Sequence, residues 1–190
     1  QILLEEYVSG LQISTETIMY EGKGVTPGFV ERNYGDTATF YPNILENGGC
    51  LPSNIPLDIR NKVCNLVENT ARELQIDNGA AKGDVVICQK RGPLIIEMAA
   101  RLSGGDFSES LVPLSSGINY VRTAIDIAIR KKNIDLSILK PKTFDCVANR
   151  YFFVIPGMLE DISGLNLFLN DPEVKKLKIN FEVGSQLPII

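Results

Sequence analysis

Residues 81–100 limit the possible folds more than any other stretch of the chain. Two aliphatic runs, Val85-Val86-Ile87 and Leu94-Ile95-Ile96, flank the turn-forming sequence Lys90-Arg91-Gly92-Pro93. Short apolar runs on either side of a Gly-Pro turn read as two strands, 81–89 and 93–100, folded into an antiparallel hairpin. A second hairpin is expected upstream. Residues 2–8 (ILLEEYV) read as a strand and Ser9-Gly10 as a turn. Residues 11–20 then run close to period two, with Leu11, Ile13, Thr15, Thr17 and Met19 set against Gln12, Ser14, Glu16 and Ile18. Glu21-Gly22-Lys23-Gly24 supplies another turn, and residues 25–33 and 38–45 are weaker strand candidates in a stretch rich in Gly, Pro and Asn.

Helical signals lie between the hairpins. Ser53-Asn54 offers capping side chains, Pro56 suits a first turn, and Asp58 complements the positive end of a helix. Ile59, Val63, Leu66, Val67 and Leu74 fall on one face, and burying each contributes roughly 1.5–3 kcal/mol before chain entropy is counted. Asn78-Gly79 is expected to end that helix. A second helix is predicted over 118–131, with Val121, Ile125 and Ala128 or Ile129 inward. Residues 144–155 read as a strand, Pro156-Gly157 as a turn, and 157–190 mix short helix and strand signals. Hairpins with intervening helices predict an α+β fold, mainly antiparallel sheet with packed helices. The division expected is a main unit over 1–140 and a small appended α/β subdomain over 141–190. The sequence opens at Gln1 into the apolar Ile2-Leu3-Leu4 and closes on Leu187-Pro188-Ile189-Ile190. Domain ends are usually polar, so the chain reads as a piece of a longer polypeptide.

Composition removes several kinds of chemistry. There is no histidine, hence no Ser-His or Cys-His nucleophile pair and no commonest zinc ligand. The net charge is -4 and no Lys/Arg cluster could track a phosphate backbone, which argues against nucleic acid. The four cysteines, Cys50, Cys64, Cys88 and Cys146, contain no C-x-x-C pair and are expected as reduced thiols in a cytoplasmic protein. No apolar run is long enough to cross a bilayer and no signal peptide is visible, so no membrane partner is expected.

One constellation carries chemistry. Asp84 opens one strand of the hairpin and Glu97 closes the other, each beside an aliphatic run. Folding about Arg91-Gly92 sets them opposite each other, and two carboxylates so close repel unless a cation lies between them. Carboxylate oxygens suit Mg²⁺, which takes phosphate oxygens and waters as its other ligands. Arg101, four residues beyond Glu97, could clamp a phosphate or a carboxylate bidentately. The same residues also read as strand-end charges in water with Arg101 as their ion-pair partner, and Gly104-Gly105 as a simple loop.

The segment Ile96-Glu97-Met98-Ala99-Ala100-Arg101-Leu102-Ser103-Gly104-Gly105 resembles the metal-binding strand of ATP-grasp enzymes, written E-x-N-x-R or E-x-x-x-R-x-x-G-G. Gly79-Ala80-Ala81-Lys82-Gly83-Asp84 resembles the preceding strand, and Leu4-Glu5-Glu6-Tyr7-Val8-Ser9-Gly10 the adenine-contacting strand. The order of the three blocks, with a helix between the first and second, is that of the family. Within it the likeness is to carboxylate–amine (L-amino-acid) ligases, with carbamoyl-phosphate synthase and biotin carboxylase as cousins. The resemblance implies ATP with Mg²⁺ (or Mn²⁺) held by Asp84 and Glu97, and Arg101 on the transferred phosphate. It also implies Glu5, Glu6, Tyr7 and Val8 at adenine and Gln12 toward the ribose. The parent would then join a carboxylate to an amine through an acyl-phosphate, with preceding subdomains of the same polypeptide completing the site and a homodimer possible. The chain alone would be inactive. Gln12 in place of an acid and Ala99 in place of a metal-binding Asn depart from the family pattern. Both favour an alternative, a non-catalytic nucleotide-binding or interaction domain; a carbamoyl-phosphate synthase or biotin carboxylase-like activity is a second alternative.

Overall fold

A computed structural model describes residues 2–188; Gln1, Ile189 and Ile190, named above as chain ends, lie outside the described residues. Strand β1 (Leu11–Tyr20) turns through Glu21-Gly22 into β2 (Lys23–Arg32). After a string of turns the chain forms β3 (Gly49–Leu51), helix α1 (Leu57–Glu73) and the hairpin β4 (Gly79–Cys88) and β5 (Gly92–Ala99). A π-helical turn (Phe107–Leu111) leads into α2 (Val112–Ser116), then α3 (Tyr120–Ala128) and β6 (Val147–Ala148). The remainder holds β7 (Gly157–Met158), α4 (Leu165–Leu169) and β8 (Gln186–Leu187). Six strands form one sheet in the order β5-β4-β1-β2-β3-β6, every neighbouring pair antiparallel, and β7 pairs with β8 separately. The fold is α+β, as the hairpin pattern predicts.

The two faces of this sheet bury different things. Ile13, Phe29 and Val85 pack beneath Val63 and Val67 of α1. The opposite face places Ile18, Val30 and Leu51 against Phe107, Leu111, Val112, Ile118, Tyr120 and Ile127. Gly28 permits the second layer to approach: a Cβ there would stand 2.5 Å from Val112 Cγ2 and 3.0 Å from Glu16 Cβ. Without that gap α2 could not close on the sheet.

Several expectations need correction. Residues 2–8 form no strand, because β1 already pairs with β2 on one side and β4 on the other, leaving no free edge for them. The upstream hairpin is instead β1–β2. Residues 38–45 are mostly turns rather than a strand, and only Val147–Ala148 of the stretch 144–155 is a strand. Helix α1 starts on Pro56 with no side-chain cap; Ser53 is buried with its Oγ unpartnered and Asn54 is exposed. It ends at Glu73 rather than at Asn78-Gly79. Gln75 takes the left-handed conformation (φ 60°), and the amides of Gln75 and Ile76 return to the carbonyls of Arg72 and Ala71. That is a Schellman closure made with Gln where Gly is usual. Leu74 is thereby turned to solvent, and Ala71 joins Val63 and Val67 on the buried face. In α3 the inward residues are Tyr120, Thr123 and Ile127, while Ile125 is 51% exposed and Ile129 is also exposed. The Tyr120 phenol reaches a buried carboxylate, described next, and that contact sets the helix rotation.

Candidate functional site

Period two puts Ser14 and Glu16 of β1 on one face of the sheet and Ile13 and Val85 on the other. The register then aligns Ser14 with Asp84 and Glu16 with Lys82 across β1–β4, and Asp84 with Glu97 and Lys82 with Ala99 across β4–β5. The β4–β5 ladder slips between Asp84 and Val85, so the irregularity lies right beside the acidic pair. Bulges redirect side chains and recur next to active sites. Asp84 is 9% exposed and fully engaged: Ser14 Oγ donates to its Oδ1 at 2.6 Å, while Lys82 Nζ and Arg32 Nη1, the latter at 3.3 Å, meet its Oδ2. Glu97, opposite it, is exposed.

Arg32 also pairs with Glu46 and stacks 5.2 Å from the centre of the Tyr34 ring. Burial opposes its charge, but the hydrogen bonds it donates to Glu46 and the field of Asp84 outweigh this and hold its pKa above the ordinary arginine value. Around these groups lies a cavity of about 220 Å³ lined by Ser14, Arg32, Glu46, Lys82 and Arg101, the loop residues Ser103, Gly104 and Gly105, and the rings of Phe107 and Tyr151. Three cationic side chains on one small wall make the cavity attractive to an oxyanion. Arg101 is exposed and spends one Nη1 hydrogen on the Leu102 carbonyl at 3.1 Å, leaving most of its donors free.

Glu16 lies two residues along the same face, buried. Its Oε2 accepts from the Tyr120 phenol at 2.6 Å and lies 3.3 Å from Ser108 Oγ, which also reaches the Ser103 carbonyl at 2.9 Å. Burial pushes the Glu16 carboxyl above its ordinary value, opposed by Ser103, Tyr120 and Ser108. Ser103 is close enough to favour the charged form, yet its Oγ and Glu16 Oε1 fall outside hydrogen-bond geometry and have no partner among the described residues.

The structure therefore brings Asp84 and Glu97 together and puts Arg101 on the cavity wall nearby. It does not bring the other predicted residues there. Glu5, Glu6, Tyr7 and Val8 lie in an unpaired segment outside the cavity lining; Tyr7 is 87% exposed and Glu6 bridges to Arg91 at the β4–β5 turn at 2.8 Å. Gln12 is half-buried opposite Val86 and also outside the lining.

No protein-family model matches the sequence, and no curated protein matches it. Solved structures do match in shape. An L-amino acid ligase from Bacillus licheniformis superposes with a TM-score of 0.80 at 20% identity, covering 96% of this chain and 44% of that one. A phosphoribosylglycinamide synthetase from Anaerococcus prevotii gives 0.78 at 18% identity, covering 96% and 45%. These are ATP-grasp proteins. The fold is the ATP-grasp fold. A more distant likeness is the biotin carboxylase domain of Hydrogenobacter thermophilus 2-oxoglutarate carboxylase, in complex with MgADP, ADP and bicarbonate (TM-score 0.55, 16% identity, 72% of this chain and 29% of that one). The chain spans less than half the length of each of these ATP-grasp structures.

The acidic pair suits a hard cation on chemical grounds. Directly opposed residues of an antiparallel pair have Cβ atoms roughly 4.5–5.5 Å apart, close enough for two carboxylates to share an ion. Among the described residues no group of three His, Cys, Asp or Glu could hold a metal. The chain thus offers two carboxylates, of which Asp84 already holds Ser14, Lys82 and Arg32, and Mg²⁺ commonly draws its remaining ligands from phosphate and water.

Ser14, Glu46 and Lys82 also line this cavity and do not stand out in the sequence. The alternation in β1 was a signal for Ser14 and Glu16, since it already set them on one face. Lys82 sits within the motif that supplies Asp84 and alternates onto the same face. Glu31-Arg32 reads from sequence either as reaching phosphates from the loop region or as an exposed ion pair, whereas the partners of Arg32, Glu46 and Asp84, are distant in the chain. Nothing local reveals them.

Proposed function

We propose that this chain belongs to an ATP-dependent ligase that activates a carboxylate as an acyl-phosphate with Mg-ATP and joins it to an amine or similar nucleophile. The observation that carries this reading is the direct pairing of Asp84 with Glu97 beside a cavity walled by Arg32, Lys82 and Arg101. Asp84 and Glu97 would hold Mg²⁺ or Mn²⁺, which neutralises phosphate charge when bound. Ser14, Lys82 and Arg32 fix the Asp84 carboxylate and compensate its charge. Arg101 takes the charge that accumulates as the γ-phosphoryl passes to a carboxylate oxygen and ADP departs. An amine then attacks the acyl carbon and phosphate leaves, so both steps balance without a covalent enzyme intermediate. The backbone of residues 4–8 makes no backbone hydrogen bond among the described residues, so its amides and carbonyls could read an adenine edge, which supports the adenine assignment of Glu5, Glu6, Tyr7 and Val8 with Gln12 toward the ribose. Preceding subdomains of the same polypeptide would cover the phosphates, and the setting is cytoplasmic.

The test is ADP release by the full-length protein against a panel of carboxylates. Glu97→Ala is expected to abolish it; near-normal release would overturn the metal assignment. A second reading, a nucleotide-binding domain without catalysis, is favoured by Ala99, which sits where the E-x-N-x-R pattern has its Asn and faces Lys82 instead. Binding of Mg-ADP with no ADP release on any acid would establish that second reading.

A further inference from the structure

Tyr151 lies beyond the metal-binding sheet, in the segment after β6, yet its ring forms part of the cavity wall. The way it is held fixes the role its hydroxyl oxygen plays toward its one polar neighbour among the described residues. Asn149 is clamped by two backbone groups: the Gly49 N–H donates to Asn149 Oδ1 at 2.7 Å, and Asn149 Nδ2 donates to the Gly105 carbonyl at 3.0 Å. These partners have fixed polarity, so rotating the amide would set donor against donor and acceptor against acceptor. Asn149 Nδ2 also lies 3.3 Å from the Tyr151 phenol oxygen, and an amide nitrogen can only donate. The phenol oxygen is therefore an acceptor in this contact, and its hydrogen is left over. No described residue accepts that hydrogen.

The surroundings keep the phenol in place and protonated. The Tyr151 amide donates to Asn47 Oδ1 at 2.8 Å. Gly105 adopts φ 63°, and a Cβ there would lie 3.1 Å from the phenol oxygen, so its bare backbone leaves the hydroxyl room. Tyr151 is 44% exposed, and its partial desolvation, with Glu46 and Asp106 nearby, raises its pKa above the ordinary phenol value. A spare, positioned donor thus faces a cavity that already carries Arg32, Lys82 and Arg101.

We propose that Tyr151 is a further ligand-contacting residue, donating its phenol hydrogen to an oxyanion, either a substrate carboxylate or a phosphate, bound in the cavity beside Arg32, Lys82 and Arg101. This rests on the ligase reading above, and it places part of ligand selection in a segment outside the E-x-x-x-R motif.

The test uses the full-length protein and Tyr151→Phe, which keeps the ring and removes only the hydroxyl. Three quantities are compared: Mg-ADP affinity by calorimetry, orthophosphate affinity for the Mg-ADP complex, and KM for the acid that best supports ADP release. A charge-assisted hydrogen bond predicts a loss of about tenfold in one of the last two, with Mg-ADP affinity unchanged. A raised acid KM with unchanged orthophosphate binding identifies the carboxylate; the reverse identifies the phosphate. Wild-type values for both in the variant would overturn the proposal and leave the ligase reading intact. A wild-type protein that neither binds Mg-ADP nor releases ADP would overturn both.

Discussion

The two faces of the central sheet are built from alternate residues of the same strands, yet they do opposite work. Under α1, Ile13, Phe29 and Val85 meet Val63 and Val67 in a contact made almost wholly of hydrocarbon. One residue along each strand, Ser14 and Asp84 face the other way and join Lys82 and Arg32 in a buried polar cluster. The dry face gains stability from each methyl it removes from water. The polar face must first recover the cost of desolvating its charges, and it does so only while every partner is present. The sheet is thus hydrocarbon under α1, while its other side combines this polar cluster with a second hydrophobic core around Ile18, Val30 and Leu51.

Removing one member of the polar cluster should have the largest effect. Asp84→Ala leaves Lys82 and Arg32 without their shared carboxylate, and the expected loss is about 3 kcal/mol in urea denaturation, together with loss of any ADP release by the full-length protein. An unfolding midpoint near that of wild type would mean that the cations find water or Glu46 instead, and that the two faces differ less than the geometry suggests. On the dry face Val67→Ala should cost about 2 kcal/mol through lost burial and a small cavity. Any Mg-ADP affinity of the full-length protein should stay at the wild-type value; a shift in affinity would show that the faces are coupled.

The third experiment probes the buried Glu16 carboxyl. Its folded pKa is raised by burial, so the folded protein keeps this proton to higher pH than the unfolded chain. Stability from this site is complete below the ordinary glutamate value and falls as pH rises through the raised one. Glu16→Gln removes that titration, so its stability relative to wild type should increase with pH across the window. A difference that stays flat with pH would mean that the carboxyl is not perturbed. The smallest effect is expected from Arg91→Ala at the β4–β5 turn. Its pair with Glu6 is exposed on both sides, and no change in thermal midpoint should be detectable.

Much of this division could be read along the chain. The aliphatic runs around Lys90-Arg91-Gly92-Pro93 sufficed to bring Asp84 close to Glu97, but the register of the turn alone would set Asp84 opposite Ile96, and the irregularity between Asp84 and Val85 makes the direct pairing. Other expectations failed where a local signal was correct but had no partner. Ile2-Leu3-Leu4 has strand chemistry, but β1 has no edge left for it. Ile125 and Ile129 lie at helical spacing, but the Tyr120–Glu16 contact turns α3 so that Thr123 and Ile127 go inward. The end of α1 was misplaced because Gln75 takes a conformation usually read from glycine.

By itself the sequence determined the β4–β5 hairpin, the α+β class and the nearness of two acids, since each depends on period-two alternation and turns a few residues long. Only the tertiary structure decided that Arg32, Glu46 and Lys82 gather around Asp84, and that Asn149 donates to the Tyr151 phenol oxygen at the cavity wall. Those contacts join residues up to about a hundred positions apart, as with Gly49 and Asn149. Their geometry follows from how strands and loops pack, and local propensity carries no record of that.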